Sequence, residues 1–252
     1  MAVPHTSDIV REVIFAPLEH GGRTQVVFDR LRNAVALDVF KDGEQLPPET
    51  ELAAQLGISP VTLRDALGLM REAGLVETRR GRTGGSFVRR EGYDPVAHGR
   101  SRLDALTLVD LRDLSDWRIA VTEAAAALAS DRASDDEVDG MALHVDAFIR
   151  AKEPAVARRA EGRFVIALAA ASQSVRLTRA TVVSVVDYGP LLSVAYRNAK
   201  LRTSVGRAHR SLLEAVRDGR RDDAREAVRS AGLEVAHGLA GQRTAPNAKG
   251  AK

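Results

Sequence analysis

At 252 residues the chain has room for about two domains on a prior of ~150 residues each. Its 44% hydrophobic and 28% charged fractions are ordinary for a soluble globular protein, and no apolar run approaches the ~18 residues that span a bilayer. Cysteine is absent, which excludes disulfides and thiolate zinc sites, and the first twenty residues hold no signal-peptide core, so a cytoplasmic protein with no membrane partner is expected. Aromatics make up only 4%, while alanine, leucine, valine and arginine dominate, a mix that favours helices over sheets.

In chain order, residues 1–22 read as a flexible lead-in ending in Gly21-Gly22. A helix is predicted over 25–40, with Phe28, Leu31 and Val35 on one face, and Lys41-Asp42-Gly43 breaks it. Gln45-Leu46-Pro47-Pro48 reads as an extended connector, because the residue before a proline avoids the helical region. A second short helix over 49–56 stops at Gly57. In the third, Ser59 can cap, Pro60 suits the first position, and Leu63, Leu67 and Met70 form an apolar stripe before Gly74. Two short helices joined by a glycine-containing turn make a helix-turn-helix. Residues 75–80 and 86–90 are β-prone around Gly81-Arg82-Thr83-Gly84-Gly85, which predicts a hairpin, or wing.

Net charge is only +3, yet residues 59–90 hold seven arginines against three acids. Such a patch can draw phosphates and release their counterions, although a solvated surface has the same composition. The glycine cluster lacks the strand-to-helix context and Gly-Lys-Ser/Thr ending of a phosphate-cradling loop.

The segments Phe28-Asp29-Arg30-Leu31-Arg32-Asn33-Ala34, Gly43-Glu44-Gln45-Leu46-Pro47-Pro48-Glu49, Leu56-Gly57-Ile58-Ser59, Leu63-Arg64-Asp65-Ala66-Leu67 and Gly74-Leu75-Val76 resemble the winged helix-turn-helix of GntR-family transcription regulators. The resemblance implies a DNA-binding domain over 23–91. It implies DNA contact by Ser59, Thr62, Arg64 and Gly84 and by the wing arginines Arg79, Arg80 and Arg82. Two positions depart from the family pattern, since Thr50 and Pro60 stand where arginine is common.

Residues 92–105 read as a linker, 106–241 as six or seven helices, and 242–252 as a disordered tail. The predicted helices run 108–133, 135–151, 153–172, 175–202, 204–217 and 221–239, with the fourth kinked or split at Gly189-Pro190. The stretches around Arg118 to Ala133, Phe164 to Ser172 and His209 to Gly219 resemble the all-helical FCD effector domain of the FadR subfamily. That likeness implies an effector pocket among Arg118, Glu161, His209, Tyr188, Tyr196 and Arg197; a surface salt bridge is the plainer reading of Arg118. Many FCD domains hold a divalent metal through an Asp, a His four residues on, and two later histidines. Those positions are Glu161, Val165, His209 and Ala231 here, a degenerate set, so no metal or other cofactor is expected.

The fold expected is mainly α: a winged helix-turn-helix, then an antiparallel helical bundle. The function expected is a homodimeric regulator, repressing in character. It would read a short palindrome in double-stranded DNA, tuned by a small-molecule effector such as an organic acid or acyl compound. The rival readings are an enzyme, or a helical ligand-binding module, tethered to a basic domain. No Ser/His/Asp or paired-carboxylate pattern supports an enzyme.

Overall fold

The computed structural model describes Arg11 and residues 24–36, 40–81, 84–89 and 94–244. The expected lead-in therefore lies, apart from Arg11, outside the described residues, as do Arg82 and residues 245–252 of the expected tail. The chain divides into two compact units, Met1–Asp94 and Pro95–Lys252.

The first unit contains α1 (Thr24–Ala36), α2 (Glu49–Leu56), α3 (Pro60–Glu72), β1 (Val76–Arg79) and β2 (Gly85–Val88). Gly57 ends α2 in the left-handed conformation that costs a glycine little, and its N–H closes back on Ala53 and Ala54. Ser59 then caps α3, its Oγ accepting from the Thr62 N–H at 3.1 Å, with Pro60 at the first helical position. The α3 stripe of Leu63, Ala66, Leu67 and Met70 is fully buried against a core that includes Phe28, Leu31 and Leu52. Each large side chain there contributes roughly 1.5–3 kcal/mol by leaving water. The strands pair antiparallel, Val76 opposite Val88 and Arg79 opposite Gly85. The proline-flanked connector is more than a spacer. The Leu46 N–H donates to Ser86 O at 2.8 Å and the Val88 N–H donates to Glu44 O at 2.9 Å, so residues 44–46 pair with the far edge of β2.

The second unit is helical throughout: α4 (Pro95–Ala105), α5 (Leu108–Arg132), α6 (Asp135–Arg150), α7 (Pro154–Ala171), α8 (Val175–Ala195), α9 (Ala199–Arg217) and α10 (Arg221–Thr244). Reciprocal capping boxes, Thr107 with Asp110 and Ser134 with Glu137, start α5 and α6. Three expectations need correction. Most of the expected linker is helix α4, and it packs along α8. Gly99 makes that crossing possible, since a Cβ there would lie 2.1 Å from the Pro190 carbonyl oxygen. The polar composition that suggested a linker belongs to the outer face of this helix, whose inner face buries Leu103. Of the kink or split expected at Gly189-Pro190, the split does not occur: α8 runs through Pro190 and ends at Ala195. The chain divides where Asn198 offers its Oδ1 to the Lys200 and Leu201 N–H groups and starts α9. Finally, α10 continues to Thr244, past the expected helix end at 239 and into the expected tail. The core joins Leu103, Phe148, Tyr188, Leu191, Tyr196 and Leu239. No helix is long and apolar enough to cross a membrane among the described residues.

Candidate functional site

In the first unit, the described residues expected to contact DNA lie at the start of α3 and on the wing. Thr62 turns back to its cap, its Oγ1 lying 2.9 Å from Ser59 Oγ. Arg64 is largely exposed and lies 3.6 Å from Glu49 Oε2, a surface pairing worth roughly 0–1 kcal/mol that a phosphate could displace. Arg79 is engaged locally, its Nε donating to Glu77 Oε1 at 2.6 Å and its guanidinium lying 4.3 Å from the Phe87 ring centre. Arg80 is exposed and makes no hydrogen bond or ion pair among the described residues. Gly84 closes the wing turn by donating its N–H to Gly81 O at 2.9 Å. A Cβ at Gly84 would lie 2.5 Å from Arg79 O, so close backbone approach alone accounts for glycine there.

One residue that sequence reasoning passed over belongs to this face. Val61 is 60% exposed on the first turn of α3, beside exposed Pro60. The signal was available: Val61 lies two residues before Leu63, about 200° around the helix from the buried stripe. An apolar side chain there has nothing of its own unit to pack on.

In the second unit the chemistry is buried. Leu111, Ser115, Arg118 and Thr122 recur at helical spacing on the inward face of α5. Arg118 Nη2 donates to Glu161 Oε1 at 2.6 Å, with both side chains almost wholly enclosed. Tyr196, at the end of α8, donates its hydroxyl to Glu161 Oε2. Burial first, then the Glu161 charge, holds that phenol protonated well above its ordinary range. Tyr188 lies beneath the Arg118 guanidinium, 5.3 Å from ring centre to Cζ, and its hydroxyl is 2.9 Å from Ser115 Oγ.

His209 completes the cluster from α9, its ring packed between Phe148 at 5.0 Å and Phe164 at 4.9 Å. Burial lowers its pKa to about 4, outweighing the pull of Glu161. The imidazole is therefore neutral near pH 7, and its 3.9 Å approach to Glu161 is not an ion pair there. Its Nδ1 is buried with no hydrogen-bond partner. Such an orphan costs about 1–3 kcal/mol, so it marks a place where a ligand donor or acceptor would be welcome. His209 lines a cavity of about 30 Å³ together with Arg118, Glu161, Phe164 and Leu212. That is space for water, and an organic ligand would require the walls to part. Of the expected pocket residues, Arg118, Glu161 and His209 line this cavity; Tyr188 and Tyr196 are buried against Arg118 and Glu161 but do not line it, and Arg197 is exposed in the turn between α8 and α9. With Tyr196 facing inward at the helix end, its neighbour points to solvent.

The four positions expected to correspond to a metal site, Glu161, Val165, His209 and Ala231, all line this one cavity. Their donors do not fit a metal. Valine and alanine offer no ligating atom, and both Glu161 oxygens are engaged by Arg118 and Tyr196. The Arg118 guanidinium also already supplies the positive charge beside the carboxylate. Among the described residues no group of three or more His, Cys, Asp or Glu could hold a metal ion.

Comparison with known proteins matches both units. The model "Bacterial regulatory proteins, gntR family" covers residues 23–88, and the FCD domain model covers residues 113–231. RmpR of Mycobacterium gastri, named as an HTH-type transcriptional regulator, is 36% identical over 169 residues; the alignment covers 67% of this chain but only 62% of RmpR. A protein of Escherichia coli K12, named as an L-lactate dehydrogenase operon regulatory protein, is 27% identical over 80% of each chain. Among solved structures, Escherichia coli McbR/YncC matches with a TM-score of 0.52 at 19% identity, over 87% of this chain and 97% of that one. A GntR regulator from Rhodococcus sp. RHA1 matches at 0.50 and 21%, over 86% and 97%. Those two likenesses establish the fold. A gntR-family winged helix-turn-helix over residues 23–88 is thus followed by an FCD domain over residues 113–231, an architecture consistent with the FadR-like branch of GntR regulators.

Proposed function

We propose that this protein is a transcription repressor that binds a short palindromic operator as a homodimer and is controlled by a small organic acid in its helical unit. The observation that carries the reading is the capped start of α3, where Pro60, Val61 and Arg64 are exposed. The start of a recognition helix is the part that enters the major groove in helix-turn-helix complexes. Arg64 contacts a phosphate or base edge there, Thr62 supports the turn, and Val61 meets a thymine methyl, the apolar feature of that groove. Arg80 and Arg82 hold the backbone or minor groove beside it; Arg79 must first leave Glu77.

The effector part of the reading rests on the buried cluster. An organic acid suits it because Arg118 is a fixed guanidinium and His209 Nδ1 lacks a partner. One relative is named for an operon whose enzyme acts on an organic acid, L-lactate. Glu161 already neutralises Arg118, so an incoming carboxylate must share or replace that bond, and the cavity must widen. That requirement gives the ligand different affinities for two conformations, which is what regulation needs; couplings of this kind are typically ~1–3 kcal/mol.

Selection of bound duplexes from a random DNA pool should enrich a palindrome, and organic acids should then weaken binding to it in an anisotropy titration. Enrichment of no sequence would overturn the operator reading. An operator whose affinity no acid alters would overturn only the effector reading.

A further inference from the structure

The helical unit carries a second concavity, on its surface and larger than the buried one. It measures about 250 Å³ and lies between the C-terminal end of α6 and the N-terminal half of α9. Its floor is Phe148, Ile149, Ala151 and Gly206, and its rim is Arg202, Arg207 and Arg210. Residues 202, 206 and 210 follow one another at four-residue intervals, with 207 alongside, so one face of α9 presents all three guanidiniums. Gly206 keeps the floor low, because a Cβ there would press on Ile149 Cγ1 at 3.1 Å.

Electrostatically this groove is unfinished. No carboxylate lines it. Arg207 and Arg210 are exposed and make no hydrogen bond or ion pair among the described residues. Arg202 gives one guanidinium nitrogen to the Tyr196 carbonyl oxygen and keeps its charge. The first turn of α9 contains no acid, so Lys200 and Arg202 sit at the positive end of the helix dipole, where cations are disfavoured. A bound anion would relieve both the mutual repulsion and the dipole mismatch. The floor adds a second requirement, since exposed Ile149, with buried Phe148 beside it, offers apolar surface where an inorganic ion would leave a gap.

We propose that the groove between α6 and α9 is a second ligand site, for a small molecule carrying a phosphate monoester on an apolar group. Three guanidiniums suit a doubly charged head with three equivalent oxygens better than a single carboxylate, and guanidinium–phosphate hydrogen bonds are of the strong, charge-assisted kind. The concave shape favours a small ligand over a macromolecular surface. The site reports inward through Phe148, whose ring stands edge-on to His209 and, at 5.2 Å, to Tyr196. A ligand seated on the outer side of Phe148 is thus one ring away from the Arg118–Glu161 cluster. The groove stands on its own geometry and does not depend on the DNA or organic-acid reading.

The test is calorimetric titration of the full chain at low ionic strength with phenyl phosphate, with benzoate and phenol in parallel. Phenyl phosphate should bind one per chain, at least tenfold tighter than benzoate, and phenol should not bind. The double variant Arg207→Gln/Arg210→Gln should weaken phenyl phosphate at least tenfold, and Ile149→Glu should abolish its binding by placing a carboxylate on the floor. Arg225→Gln, on α10 away from the groove, should change nothing. All these positions are exposed, and unchanged thermal melting would show that each variant folds. Several results would overturn the proposal. They are no binding of phenyl phosphate by the unaltered chain, binding that survives both groove variants, or benzoate binding as tightly in the same groove. Finding that an acidic peptide or DNA, but not phenyl phosphate, depends on these arginines would also overturn it.

Discussion

Arg64 and Arg118 are the same side chain in opposite circumstances, and the contrast separates what the two units ask of an arginine. Arg64 stands in water, its nearest carboxylate at 3.6 Å, so its loss should leave the fold of its unit nearly untouched. Arg118 is enclosed and gives a 2.6 Å hydrogen bond to a carboxylate that is also enclosed. Removing it would strand the Glu161 charge in a medium that cannot solvate it. On the proposed reading, the first unit therefore keeps DNA contact and stability on different residues. The helical unit places both on the same ones, so its candidate ligand site cannot change without the bundle responding.

The largest effect that sharpens this contrast is Arg118→Ala, which should cost about 3–5 kcal/mol in denaturant unfolding. A loss below 1 kcal/mol would mean that water reaches the cluster. Next comes acidity. The His209 pKa is about 4 in the folded chain against about 6.5 unfolded, so above pH 6.5 both states hold it neutral and nothing is lost. As pH falls from about 6.5 to about 4, the unfolded chain takes up a proton that the buried ring, close to Arg118 and Glu161, refuses. Stability should then drop by about 3 kcal/mol, and the difference should vanish in His209→Gln. Equal slopes for the two proteins would place His209 in contact with solvent. In the other unit, Arg64→Ala should weaken operator binding by about 1–3 kcal/mol and flatten its salt dependence, with stability changed by no more than about 0.5 kcal/mol. A large stability loss would erase the contrast. Smallest is the methyl contact of Val61. Replacing one operator thymine with uracil should cost about 0.8 kcal/mol, roughly fourfold in affinity, in the unaltered protein and nothing in Val61→Ala. Uracil tolerated at every operator position would remove Val61 from the base-reading face.

Much of the first unit was legible because its determinants are local. Ser59, Pro60 and Gly74 bound α3 by backbone chemistry that acts within four residues, and the Leu63 to Met70 stripe needs only the period of the helix. The second unit's helix starts were legible for the same reason where Thr107, Ser134 and Ser174 supply caps. Misreadings came where a distant partner decided. Pro190 ought to interrupt a helix by itself, yet α8 continues through it with α4 packed close at Gly99. Residues 95–105 look like a linker until α8 gives Leu103 something to bury against. Arg197 was expected in the pocket with Tyr196, and one step along the chain took it from core to solvent.

The sequence by itself determined where α2, α3, α5, α6 and α8 begin, and that the first unit holds a cationic, capped helix followed by a glycine-turned wing. These follow from propensities, periods and backbone geometry that act over one or two turns. Only the tertiary structure decided the state of the charged groups. It brought Arg118, Glu161, Tyr196 and His209 together from four helices. Whether an arginine is a solvated contact or a buried counter-ion depends on what surrounds it in space, because desolvation and Coulomb attraction act through distance and not along the chain.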